Sequence, residues 1–88
     1  MRVIRKKPGQ DYEWVDIPNT LESLQHEVEG YIEVVPIGPD TIVVCNEEGS
    51  LVGLKDNVDI CGYRFVGTIL ITGTNGDELT DYTGDDFI

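Results

Sequence analysis

The chain has 88 residues, six of them cationic and 17 acidic, for a formal charge of −11 at pH 7, and 40% of it is hydrophobic. That length makes one domain with a modest core, and two cysteines could form one disulfide at most, which excludes a disulfide-built scaffold. The acidity argues against DNA, RNA or an anionic membrane as a direct partner, and no apolar run nears the roughly 20 residues that cross a bilayer.

The charge is unevenly placed. Arg2, Arg5, Lys6 and Lys7 carry four of the six cationic side chains, and from Pro8 onward only Lys55 and Arg64 oppose all 17 acids, a balance of −15. Unpaired ions are costly away from water, so most of the carboxylates are expected on the surface, where their field attracts basic protein surfaces. The basic N-terminus is not followed by the apolar core of a signal peptide. A soluble cytoplasmic protein with reduced cysteines is the expectation.

In chain order, Arg2 to Arg5 around Val3 and Ile4 read as a first strand, Pro8-Gly9 as a turn, and Tyr12, Trp14 and Ile17 as a second strand that closes a hairpin. Asn19, with Glu22 three residues on, reads as a helix N-cap and capping box. Leu21, Leu24 and Val28 then form one apolar stripe of a helix over about residues 20 to 29, ended by Gly30 in the left-handed conformation. Tyr31 to Ile37 is a third strand, Gly38-Pro39-Asp40 a turn, and Thr41 to Cys45 a central strand. Asn46 to Gly49 is a turn, Leu51 to Leu54 a short strand or edge segment, and Lys55 to Gly62 a loop. Arg64 to Thr72 reads as one strong strand, followed by a tight turn at Thr74 to Asp77. The fold class expected is α+β, one helix packed on a largely antiparallel sheet of about five strands. Residues 1–76 form the domain and residues 77–88 an acidic C-terminal tail, mobile or loosely docked.

Little in the chain points to catalysis. His26 is the one histidine and falls on the charged helix face with Glu22 and Glu29, where a surface role outweighs a catalytic one. Cys45 and Cys61 are sixteen apart and lack the partner ligands of a zinc site, and the C-terminal acids lack the spacing of a calcium loop. Gly67-Thr68 and Gly73-Thr74 precede no helix that could cradle a phosphate. The expectation is no enzyme, no catalytic residue, no metal and no cofactor.

Several segments taken together carry a family resemblance. They are Gly30-Tyr31-Ile32-Glu33-Val34-Val35-Pro36 after a Leu-Glu-Ser-Leu-Gln helix, Val44-Cys45-Asn46-Glu47-Glu48-Gly49, then Leu51, Gly53-Leu54 and Asn57, and Val66 to Gly73. Over roughly residues 1 to 80 the chain resembles the small bacterial and phage domain-of-unknown-function family 3846. The resemblance implies a setting in phages and mobile elements, among proteins suspected of countering host defences, and carries no catalytic residues.

The leading expectation is an acidic protein that inhibits a host defence system by binding a basic, nucleic-acid-binding protein surface. Its contact candidates are Glu47, Glu48, Asp77, Glu78, Asp81, Asp85 and Asp86, because turn and tail carboxylates are reachable. The alternative is a sponge that traps a nucleotide second messenger between subunits of a homo-oligomer, through Arg2, Arg5, Arg64, Trp14, Asn46 and Asn57. A small accessory binding module without an anti-defence role is the remaining reading.

Overall fold

The computed structural model describes residues 1–87. Its elements are β1 (Arg2–Lys6), β2 (Glu13–Asp16), α1 (Leu21–Val28), β3 (Ile32–Pro36), β4 (Thr41–Asn46), β5 (Asp56–Ile60), β6 (Tyr63–Val66), β7 (Ile69–Asn75) and β8 (Glu78–Thr80). One helix packs on a sheet whose strands pair antiparallel throughout, in the order β2-β1-β7-β4-β3. β8 also joins β7, opposite Gly73–Asn75, and so lies in line with β1, which pairs with Ile69–Ile71 on the same edge.

Side chains alternate between the two faces of a strand, and both faces here are covered. On one face Val3, Val44 and Leu70 bury against Ile17 and against Leu24 and Val28 of α1. On the other, Ile4, Val43, Cys45, Ile69 and Ile71 bury under Ile60 and Phe65 of the β5–β6 hairpin and under Tyr82. The hairpin crosses the sheet. Asn57 donates to the Lys6 carbonyl at 2.8 Å, while the Cys61 thiol faces the Ile37 carbonyl. β7 sits between the layers, with Ile69 to Gly73 all buried.

Several expectations are corrected. Thr20, not Asn19, caps α1: its Oγ1 accepts the Ser23 N–H at 3.2 Å, and Asn19 instead donates to the Leu79 carbonyl. Glu29, not Gly30, takes the left-handed conformation at the C-terminus, with φ 64. Gly30 is required for another reason, since a Cβ there would stand 2.6 Å from the Asn46 amide nitrogen, which donates to the Val28 carbonyl. The apolar stripe narrows to Leu24 and Val28, because Leu21 at the first turn is 58% exposed.

Leu51 to Leu54 is turn and irregular chain rather than a strand, and the supposed loop at Lys55 to Gly62 contains β5. The single strand at Arg64 to Thr72 is two strands, interrupted at Gly67. That residue has φ 70, and a side chain there would meet Leu54 at 2.7 Å. The C-terminal segment is docked as far as Phe87. β8 pairs with β7, Tyr82 donates its N–H to the Arg2 carbonyl and is buried against Trp14, and Phe87 packs on Tyr12. Ile88, the last residue of the expected tail, lies outside the described residues.

Candidate functional site

The strand register sorts the candidate acids into two groups. β4 starts beside the end of β7, with Thr41 opposite Gly73, and runs away from it to Asn46. Glu47 and Glu48 therefore follow the far end of β4, whereas Asp77, Glu78 and Asp81 lie at the near end with the β7–β8 turn. A six-residue strand separates the groups by about 17 Å. Asp85 and Asp86 are exposed on the segment between Tyr82 and Phe87. The acids thus form no single face.

At the near end an open groove of about 830 Å³ runs between the β3–β4 turn and the chain after β8. Asp40, Thr41, Thr74, Thr80, Asp81 and Thr83 are among the residues that line it. Asp81 is held in place because its Oδ1 accepts the Arg2 N–H at 2.9 Å, and Thr74 donates its N–H to the Asp40 carbonyl. Asp77 in the adjoining turn and Glu78 at the start of β8 stand exposed. The groove offers carboxylates and hydroxyls that can meet cationic groups, alongside Met1, Leu79 and Tyr82. Sequence reading placed Asp40 in a turn but did not single it out. Only pairing across the sheet brings it to the groove that Asp81 also lines.

At the far end Asn46 builds the Glu47–Glu48 turn. Its Oδ1 accepts the Glu48 N–H at 2.8 Å, its amide ties down the helix end, and Glu47 donates its N–H to the Tyr31 carbonyl. Asn46 is therefore committed to the fold, as is Asn57, which donates to the Lys6 and Gly67 carbonyls and accepts from the Lys6 ammonium.

The arginines proposed for a nucleotide site are dispersed and occupied. The Arg2 guanidinium lies 4.3 Å from the centre of the Trp14 ring. Arg5, on the opposite face of β1, reaches Glu27 of α1 at 2.9 Å and Glu13 at 3.4 Å. The Glu27 hydrogen bond leads in raising its pKa. Arg64 pairs with Asp56 on the exposed hairpin.

Cys45 donates to the Glu33 carbonyl at 3.6 Å. Burial first, and the Glu33 carboxylate second, push its pKa up to about 11, so it is a protonated core thiol at neutral pH. His26 is exposed on α1. Among the described residues no group of three or more His, Cys, Asp or Glu side chains is placed to hold a metal, and no helix is long and apolar enough to cross a membrane.

A family model described as Domain of unknown function (DUF3846) matches residues 1–87. No curated protein and no solved structure matches the chain.

Proposed function

Since the chain belongs to the family Domain of unknown function (DUF3846), a description that assigns no activity, we propose from its surface that it is an acidic inhibitor, docking on a basic, nucleic-acid-binding surface of a host defence protein in the host cytoplasm. One observation carries this reading. Among the described residues only Glu13, Glu27 and Asp56 of the 17 acids are in ion pairs, and those pairs occupy Arg5 and Arg64. The remaining carboxylates are left to attract an external partner. A duplex carries one charge per roughly 1.7 Å of axis, and the carboxylates around the groove imitate part of that field. The phage and mobile-element setting implied by the resemblance supplies the defence target. The sponge reading is weakened by the same geometry, since Arg2, Arg5, Arg64, Asn46 and Asn57 already have partners inside the fold.

The test is competition between the chain and labelled duplex DNA for purified defence nucleases. The expected result is displacement of the duplex, with association that slows as salt rises. Replacing Asp40, Asp77 and Asp81 by Asn and Glu78 by Gln should abolish displacement. If the quadruple variant inhibits as well as the parent, with the same salt dependence, docking through these carboxylates is wrong. A nucleotide bound in calorimetry, and lost with Arg2→Ala or Arg64→Ala, would instead establish the sponge.

A further inference from the structure

β3 ends the sheet, and among the described residues it pairs with β4 alone. The hydrogen bonds beyond its two ends fix which way its backbone groups point. Glu47 donates to the Tyr31 carbonyl and Ile37 donates to the Thr41 carbonyl. These bonds flank the Ile32–Asn46 and Pro36–Ile42 pairs. In an antiparallel ladder such flanked pairs are the non-hydrogen-bonded ones, and they alternate with hydrogen-bonded pairs. Glu33 and Val35 therefore bond inward to Cys45 and Val43. Ile32, Val34 and Pro36 turn their backbone groups outward to the free edge. Pro36 has no N–H, so the open donors are those of Ile32 and Val34, with carbonyls at all three.

A free edge of this kind is a template for another strand, and its surroundings select the occupant. Tyr31 is 68% exposed, Val34 46% and Leu51, in the cleft beside Glu33, 85%. Glu29, Glu33, Asp40 and Glu47 are exposed around the strand, and none is in an ion pair among the described residues. A second copy of the chain would bring like charges together. β2, at the opposite sheet edge, is only four residues long, and its Glu13 is already paired with Arg5.

Resting on the basic-partner reading above, we propose that the free edge of β3 accepts an extended segment of the partner in which arginine or lysine alternates with apolar residues. Outward and inward backbone groups alternate along β3, and so do its faces. An incoming strand sets apolar side chains beside Val34 on the helix side and cationic ones beside Glu33 on the hairpin side. The edge ends at the turn that carries Asp40, so it runs on into the groove.

The probe is a blocked peptide of alternating arginine and valine, about six residues long, compared with the same peptide N-methylated at every backbone amide. The methylated form keeps the charge but cannot complete the ladder. The expected result is binding of the first peptide, slower hydrogen exchange at the Ile32 and Val34 amides, and affinity lower by about tenfold or more for the methylated form. Val34→Pro removes one outward donor at the same kind of position that Pro36 already occupies, and should weaken binding similarly. Equal binding of both peptides, or exchange at Ile32 and Val34 unchanged by the first, would overturn the proposal, and the peptide pair decides even if Val34→Pro does not fold. The two readings fail separately. If the Asp40, Asp77, Glu78 and Asp81 variant loses nuclease inhibition while Val34→Pro keeps it, groove docking stands and the edge does not. The reverse pattern keeps the edge and rejects the groove.

Discussion

Cys45 lies under the β5–β6 hairpin, 6% exposed, whereas Cys61 is exposed in the turn between those two strands. A thiol reagent at pH 8 should modify Cys61 in the folded protein and reach Cys45 only on unfolding. Mass analysis of the labelled peptides checks the order. The raised pKa of Cys45 also sets a pH dependence. Its folded value of about 11 lies above the ordinary 9.0, so the fold prefers the protonated thiol. That contribution is whole below pH 9 and is lost as pH rises through 11. Burial also raises Tyr12 and, as the leading cause, Tyr82 from 10.0, and these act in the same direction. The urea midpoint should therefore fall between about pH 9 and 11, and fall less in Cys45→Ala. A midpoint that stays level across that range would contradict this account.

α1 is anchored by few side chains, because its sheet-facing stripe holds only Leu24 and Val28 buried. Leu24→Ala should cost about 2 to 5 kcal/mol in chemical denaturation, the range for a buried leucine, whereas Leu21→Ala should change stability by no more than about 0.5 kcal/mol. Equal effects would mean that the helix packs through a different face. The spacing of Leu24 and Val28 revealed this helix, and apolar runs such as Val3-Ile4 and Val43-Val44 between turn signals revealed the hairpins on either side of it. Neither signal revealed β5, where Asp56, Asn57 and Asp59 are residues that strands avoid. Asn57 is held there by bonds to Lys6 and Gly67, which are distant in sequence. Gly67 hid the break between β6 and β7 because the apolar run continues across it. The docking of the acidic end depended on Tyr82 and Phe87, two aromatics set among carboxylates. The groove was illegible for the same reason: Asp40 and Asp81 come to line it only once β4, β7 and β8 are paired.

As a whole the molecule holds its −11 charge within a radius of gyration of 11.8 Å. The Debye length is about 30 Å at 0.01 M salt and 10 Å at 0.1 M, so at low salt every carboxylate feels every other. Self-repulsion destabilises a compact state of high net charge, and only five charged side chains take part in ion pairs among the described residues. Sodium chloride added from about 0.01 to 0.2 M should therefore raise the melting temperature in circular dichroism, and a fall would show that the attractive pairs dominate. The place of β7 in the sheet has a further consequence, for the time course of folding. The β1–β2 and β3–β4 hairpins close over short stretches of chain, yet they share no ladder until β7 enters between β1 and β4. A ribosome that has released only the first 60 residues has made two hairpins and a helix with no common sheet. Non-local pairing is slow, and partly built sheets expose sticky edges. The late strand is thus the step at which a nascent chain either folds or is lost to aggregation.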